Sequence, residues 1–175
     1  IRKRGFVAAV IQTIHARMIL DSRGNPTVET DLWLSDGSFG RAAVPSGAST
    51  GAREALELHD GGAAFLGKGV QKAIDNVHTI ISPAVVNKEL TQASLDTTLQ
   101  DLDGTESFSH LGANAVLSVS MAFAVASAAQ ARLPLYRWIG ELAGNSNFVM
   151  PRPLWNIMNG GAHANWTTDI QEYMI

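Results

Sequence analysis

The chain has 175 residues and a formal net charge of −3, so nothing in its charge favours nucleic acid as a partner. Hydrophobic residues make up 46% of the sequence and charged residues 17%, which is typical of a folded globular protein rather than a disordered one. The sequence contains no cysteine, which excludes disulfide bonds and thiolate metal sites and fits a reducing compartment such as the cytoplasm.

The first third of the chain predicts an antiparallel β-meander. Apolar and polar residues alternate along 14–20 and again along 28–34, the period of two that is typical of strands. The sequence Asp-Ser-Arg-Gly-Asn-Pro at 21–26 predicts the turn between them. After a second turn at 35–37, residues 39–44 predict the third strand.

Beyond residue 51 the apolar spacing becomes helical. Pro83 should end or bend the first helix, and Thr91 is a candidate N-cap for the second. Three strands followed by helices predict an α+β domain whose helices pack on one side of the sheet. The helices are predicted at 70–81, around Leu95–Leu102, at 111–131 and at 135–142.

The segment 111–131 carries no charged residue and is about as long as a membrane span. It also contains polar residues throughout and is rich in alanine. We interpret it as a helix buried inside a soluble domain, because a helix that is apolar on all sides is buried somewhere, and we expect no membrane span.

Composition also predicts a domain division. Residues 1–140 form the first domain, 141–149 form a linker around Gly-Asn-Ser-Asn, and 150–175 begin a second domain. Strand-like apolar sequence recurs at 154–158 and at 169–175, with an Asn-Gly-Gly turn at 159–161 after the first of them.

Two segments are candidates for chemistry. In the first, Ser46–Gly51, glycines and hydroxyls could close over an anion or hold a metal through oxygen atoms, or could form only a mobile connection. Its spacing does not match a Walker A loop.

The second candidate is Asn159–His163 with the strand that follows it. His163 and Glu172 at strand ends are plausible acid–base or ligand-holding groups, and an ordinary surface hairpin is the alternative. Glu172 alternates with Ile170 and Met174, so it is expected among apolar neighbours, where a lone carboxylate is costly.

An ordered set of motifs extends over almost the whole chain from about residue 14. These motifs resemble, in chain order, those of the enolase family. They are ILDSRGNPTVE at 19–29, VPSGASTG at 44–51, EALEL at 54–58, LGKGV at 66–70, LGANA at 111–115, NIMNGG at 156–161 and DIQEYM at 169–174.

The resemblance implies a fold and an activity. The fold is an N-terminal cap domain of three strands and four helices, followed by the first two strands, mutually antiparallel, of a truncated enolase-type (β/α)8 barrel. The activity is the reversible Mg²⁺-dependent dehydration of 2-phosphoglycerate to phosphoenolpyruvate in glycolysis. A cytoplasmic homodimer, with no nucleic acid partner, is also expected.

The resemblance also assigns roles to individual residues. Ser49 matches a serine that ligates magnesium, and Glu172 matches a carboxylate that assists departure of the hydroxyl group. His163 matches a histidine that contacts the substrate. The residues expected to bind substrate are Gly47, Ala48, His163, Gln171 and Glu172.

The family's catalytic lysine and its principal magnesium ligands belong to later barrel strands. We therefore expect this chain alone to carry part of an active site and to be inactive by itself. The alternative is a non-catalytic, enolase-derived binding domain.

Overall fold

The structure is a computed structural model, and it describes residues 8–47, 51 and 53–175. Strands β1 (Ala9–Leu20), β2 (Pro26–Leu34) and β3 (Phe39–Ala43) form the antiparallel meander that the sequence predicts. A short strand, β4 (Glu89–Leu90), pairs with the start of β1, so the sheet order is β3-β2-β1-β4. The fourth strand was not predicted, because two residues show no periodicity.

The turn between β1 and β2 forms as the sequence indicates. The Asp21 carboxylate accepts hydrogen bonds from the backbone N–H groups of Arg23 and Asn25, both at 2.8 Å. Gly24 takes a positive φ of 77°, which glycine adopts without steric cost. An aspartate that bonds the backbone two residues ahead is a common device for closing a turn.

The first helical stretch differs in detail from the prediction. It comprises α1 (Gln71–Asn76), a π-helical turn (Val77–Ile81) and α2 (Ser82–Val85), so the chain stays helical past Pro83. Proline has no N–H, and its ring collides with the carbonyl oxygen one turn earlier. A wider π turn immediately before the proline relieves that collision, so the helix is distorted rather than ended.

The other helices match the predicted positions closely. Helix α3 (Gln92–Asp103) is capped by Thr91, whose hydroxyl accepts from the Ser94 N–H at 3.2 Å while Ser94 Oγ accepts from the Thr91 N–H at 2.9 Å. Helices α4 (Ala113–Gln130) and α5 (Leu135–Leu142) follow. Counting 71–85 as one helix, and leaving aside a 3₁₀ turn at Ala64–Gly67, the described part of the domain contains four helices.

The hydrophobic core lies between the sheet and the helices. Alternate residues of β2, including Val28, Leu32 and Leu34, are buried beneath α4. Helix α4 is long and apolar enough to cross a membrane, but 61% of it is buried and it packs on β2, β3, α3 and α5. It is therefore the central helix of the core.

The last part of the chain forms a hairpin. Strands β5 (Asn156–Asn159) and β6 (Glu172–Met174) pair antiparallel, and two further backbone hydrogen bonds join Trp155 to Ile175. The predicted strand 169–175 is thus shorter than expected. A 3₁₀ turn, Gly161–Ala164, extends the connection beyond the predicted Asn-Gly-Gly turn.

Candidate functional site

The candidate loop begins on a segment firmly attached to the sheet. We call residues 44–47 the near arm. The Val44 N–H donates to the Val28 carbonyl at 2.9 Å, and the Thr27 hydroxyl donates to the Val44 carbonyl at 2.6 Å. Both Thr27 and Val44 are buried, so this end of the loop is fixed to the core.

The loop returns through residues 56–58, which we call the far arm. The Leu56 N–H donates to the Ser107 carbonyl, and the Ala113 N–H donates to the Leu56 carbonyl, both at 2.8 Å. The far arm therefore lies against the start of α4. A side-chain bond joins the two arms, since Ser46 Oγ donates to Glu57 Oε2 at 3.1 Å.

The predicted site residues of the loop divide between described and undescribed positions. Gly47 is exposed at the end of the near arm. Ala48 and Ser49, predicted to line the site and to bind metal, lie outside the described residues. On the far side, the Gly51 N–H donates to Glu54 Oε2 at 2.7 Å and closes a small turn.

An open cleft of about 620 Å³ lies between the arms and the β1–β2 turn. Its lining includes the cations Arg23 and Lys68 and the carboxylates Glu54 and Glu57. The Lys68 ammonium donates to Asn25 Oδ1 at 3.2 Å. The cleft lining carries side chains of both charge signs, as suits a small charged ligand.

The second group of predicted residues lies together on the hairpin. The Gln171 carbonyl accepts from the Gly160 N–H at 2.8 Å, and Glu172 stands opposite Asn159 in the strand register. His163 lies on the 3₁₀ turn, and its side chain is exposed, as are those of Gln171 and Glu172.

The expectation that Glu172 is buried among apolar neighbours is wrong for this structure. Its side chain is exposed. Among the described helices and strands, β5 and β6 pack extensively only on each other, so neither face of the hairpin is covered. Within the described part of the chain, no hydrogen bond or ion pair joins the hairpin to either arm.

Residues 8–47, 51 and 53–175 contain no group of three His, Asp or Glu side chains that could hold a metal ion. Magnesium needs several oxygen ligands in near-octahedral geometry. The described side chains therefore do not form a complete magnesium site.

Comparison with protein families agrees with this architecture. Residues 11–139 match the family model for the enolase N-terminal domain, and residues 147–175 match that for the enolase C-terminal TIM barrel domain. The chain belongs to the enolase family. The meander and four helices form the enolase N-terminal domain, and the hairpin is a short start of the barrel domain.

The structure of this enolase-family domain also contains a charged cluster that the sequence analysis missed. On the sheet face opposite the core, Arg41 donates to both carboxylate oxygens of Asp31, at 2.6 and 2.8 Å. Arg17 donates to Asp31 at 2.8 Å and to Glu29 at 2.9 Å. Arg41, followed by Arg17, holds the pKa of Asp31 well below its usual range although burial acts in the opposite direction.

A sequence signal for this cluster does exist. Glu29 and Asp31 alternate along one face of β2, and the strand register places Arg17 opposite Glu29 and Arg41 opposite Asp31. Opposite charges directly across a strand pair stabilise the pairing. The alternation was visible in the sequence, but the partners depend on the register.

Asp103 at the end of α3 is a second buried carboxylate. Burial opposes its ionisation, but hydrogen bonds from Leu111 N–H, Thr105 and His110 N–H outweigh that effect and hold the pKa of Asp103 below its usual value. These bonds shape the connection from α3 to α4. The role of Asp103 is structural.

Proposed function

We propose that this chain supplies part of the active site for the reversible dehydration of 2-phosphoglycerate to phosphoenolpyruvate. The observation that carries the proposal is the match of residues 11–139 and 147–175 to two consecutive enolase domains. The candidate loop lies within the first matched range, and the hairpin lies within the second. The loop contains Ser49, and the hairpin contains His163 and Glu172, which are residue types that the proposed dehydration requires.

The reaction removes a weakly acidic proton beside a carboxylate and then expels a hydroxyl group. Magnesium, when bound, offsets the negative charge that accumulates on the substrate carboxylate. Ser49 is the ligand that we assign to this chain, with Gly47 and Ala48 lining the site beside it. The proton-abstracting base and the other ligands are not assigned to any residue of this chain.

The hairpin residues act on the leaving group. Glu172 is assigned to assist departure of the hydroxyl group, with His163 contacting the substrate and Gln171 beside it in the pocket. All three side chains are exposed, so they are free to reach a ligand. A positioned acid–base group contributes about 10²–10⁴-fold to a rate.

The same proposal includes the domain division, the oligomeric state and the cellular location of the chain. We assign residues 1–140 to the cap domain, 141–149 to a linker and 150–175 to the start of the barrel. Family membership also favours a homodimer and a cytoplasmic location. Neither a nucleic acid nor a membrane is proposed as a partner.

The decisive experiment places these residues in an active enzyme. Residues 1–175 replace the corresponding segment of a catalytically active enolase, and formation of phosphoenolpyruvate is followed with Mg²⁺ present. Glu172→Gln should lower kcat by about 10²-fold or more, because the neutral amide cannot supply a proton. Glu106→Gln, an exposed acid on the N-terminal domain, serves as the matched control and should leave kcat unchanged. Near-normal turnover by Glu172→Gln would remove Glu172 from the mechanism.

An alternative function is a non-catalytic binding domain derived from an enolase. Large apolar side chains exposed on the last part of the chain favour it, among them Met150 (92% exposed) and Trp166 (74% exposed). The mass of the natural protein and an assay of the 175-residue chain separate the two. A natural mass of 18.7 kDa with no turnover supports the binding domain, and a larger mass with turnover supports the enzyme.

A further inference from the structure

Asn114, the second residue of α4, makes an unusual pair of contacts. Its side chain is buried, at 2% exposure. The Leu58 N–H donates to Asn114 Oδ1 at 3.1 Å, and Asn114 Nδ2 donates to the Leu58 carbonyl at 3.0 Å. One amide side chain thus satisfies both backbone groups of a residue 56 positions away, as a neighbouring β-strand would.

The chain next to Asn114 leaves space for the far arm, because residue 112 is a glycine. At Gly112, a Cβ atom would lie 2.5 Å from the Leu58 Cβ and 3.3 Å from the Leu58 nitrogen, so a larger residue would push the arm away. Gly112 also has a φ of 93°, a region that favours glycine. The hydrogen bond from Ala113 N–H to Leu56 O completes the attachment.

The attached arm carries Glu57, and the Glu57 carboxylate reaches the near arm through Ser46. The near arm is fixed independently by Thr27 and by the β2 backbone. The separation of the two ends of the loop is therefore set by contacts outside the loop. Among the described hydrogen bonds from outside the loop to the far arm, those of the Asn114 amide come from a side chain, and the others come from the backbone.

We propose that Asn114 is a positioning residue that fixes the far end of the loop between Ser46 and Glu57. Its effect on catalysis rests on the proposed function, in which this loop supplies Ser49 to the metal. The anchoring itself does not depend on that function. It can be measured on the 175-residue chain without any assay of activity.

The first test is proteolysis of the chain at Arg53, which is exposed between the two arms. Arg53 is exposed already, but a protease also needs an extended, locally unfolded segment around the cleaved bond, and release of the far arm should let the backbone around Arg53 extend. With Asn114→Ala, the fragment that ends at Arg53, identified by mass, should appear about tenfold faster under trypsin, because two hydrogen bonds to Leu58 are lost. Each protein is digested at the same interval below its own unfolding temperature.

Ser118→Ala is the matched control. Ser118 lies on the same helix one turn later, is fully buried, and bonds to Thr30 and to the Ala115 carbonyl, not to the far arm. Its cleavage rate should stay within about twofold of the unaltered chain although the fold is destabilised. Equal acceleration by both variants, or no acceleration by Asn114→Ala, would overturn the proposal.

Two measurements keep the test decisive if Asn114→Ala does not fold. Asn114→Asp keeps the acceptor for the Leu58 N–H but loses the donor to the Leu58 carbonyl, and should give intermediate acceleration. A carboxylate in the first turn is also favourable to α4. In the unaltered chain, the Leu58 amide should exchange its hydrogen as slowly as amides in β2. Fast exchange there would contradict the proposed anchor.

A separate measurement tests the catalytic consequence. In an active enolase carrying residues 1–175, Asn114→Ala should lower kcat and raise the Mg²⁺ concentration for half-maximal activity, each by about tenfold. Ser118→Ala should change neither value. If the unaltered hybrid itself is inactive, the proposed function fails while the proteolysis result still decides whether Asn114 anchors the loop.

Discussion

Asp31 shows how one residue can be buried and charged without being part of a catalytic site. The whole residue is 4% exposed, yet three hydrogen bonds from Arg17 and Arg41 satisfy its carboxylate oxygens. Burial of an isolated carboxylate would be strongly unfavourable. The two guanidinium groups lie partly in solvent, so each ion pair contributes less than it would in a dry interior.

Asp31→Asn should therefore destabilise the fold by about 1–2 kcal/mol, since two cations lose their shared partner in a partly screened setting. The free energy of unfolding, measured in urea at pH 7, checks this. Asp101→Asn removes an exposed acid from α3 and should change the free energy by less than about 0.5 kcal/mol. Equal effects of the two substitutions would argue against the cluster.

The same residue predicts a pH dependence. The pKa of Asp31 is lower in the folded state than the ordinary value near 3.9, so its contribution is complete above that value and is lost as the pH falls below it. The stability difference between the unaltered chain and Asp31→Asn should stay constant from pH 7 to about pH 5. It should shrink below about pH 4, because the carboxyl group becomes neutral. Urea unfolding at pH 3, 5 and 7 measures it, and a difference that grows on acidification would contradict the ion pairs.

At the scale of elements, the close contact between β3 and α4 determines how the core is closed. Gly40 faces the helix, and a Cβ there would overlap the Ala122 carbonyl oxygen and lie 2.5 Å from the Ala126 nitrogen. Both are backbone atoms and cannot rotate away. A glycine at this position lets helix and sheet approach closely enough to bury the alanine-rich face of α4.

Gly40→Ala should consequently lower the free energy of unfolding by about 2–3 kcal/mol, because α4 must move away from the sheet. Thermal unfolding followed by circular dichroism checks the effect. Gly51→Ala is a useful control, since its Cβ would have space and its φ is not positive. Should Gly40→Ala be as stable as the unaltered chain, the packing of α4 on β3 described above would be wrong.

The start of α3 gives a second prediction at this scale. Thr91→Ala removes the acceptor for the Ser94 N–H and should cost about 1 kcal/mol. Thr98 bonds within the same helix in a different way, from its hydroxyl to the Ser94 carbonyl at 2.8 Å, so it caps no backbone N–H. Thr98→Ala should be neutral or slightly stabilising, because alanine has the higher helix propensity. Urea unfolding measures the loss in free energy for each variant. A larger loss for Thr98→Ala than for Thr91→Ala would contradict the proposed cap.

At the scale of the whole molecule, burial is uneven along the chain. The described residues before 143 surround one core, whereas the hairpin exposes large apolar side chains. Phe148 is the last large apolar residue before this change. Its ring packs edge-on against the Tyr136 ring, with 5.4 Å between the ring centroids, whereas large apolar side chains after it are exposed. The open residues include Val149, Met150, Leu154, Trp155, Ile157, Trp166 and Ile175.

This unevenness predicts that a chain ending at Phe148 keeps its fold. Its urea midpoint should match that of the 175-residue chain, because the removed residues contribute little buried area. Its binding of a hydrophobic dye should fall sharply, since the exposed apolar side chains are gone. A large loss of stability would show that the hairpin packs on the domain more than the structure indicates.

Much of the N-terminal domain was predictable from local sequence. The period of two predicted β1 and β2, although β1 begins at Ala9 rather than near residue 14, and the turn at 35–37 predicted the start of β3. The spacing of apolar residues placed the helices within a few residues of their observed ends. The cap at Thr91 and the turn at 21–26 also followed, because caps and turns depend on residues two to four positions apart. The ordered motifs were sufficient to predict the enolase family.

The candidate site was predictable only in part. Its residues were identified through motifs, and His163, Gln171 and Glu172 belong to the same hairpin. The exposure of Glu172 was not predicted, because strand alternation shows which residues share a face but not whether anything covers that face. The roles of those residues and of Gly47, Ala48 and Ser49 remain predictions.

The sequence by itself determined the three meander strands and the helices that follow them, the turn at 21–26, the cap at Thr91 and the family, because these depend on neighbouring residues and on recognisable motifs. Only the tertiary structure decided that Arg17 and Arg41 share Asp31, that Gly40 admits α4, and that Asn114 holds Leu58. Each of these contacts joins residues distant in the sequence. Their partners are fixed by strand register and helix packing, which no local pattern contains.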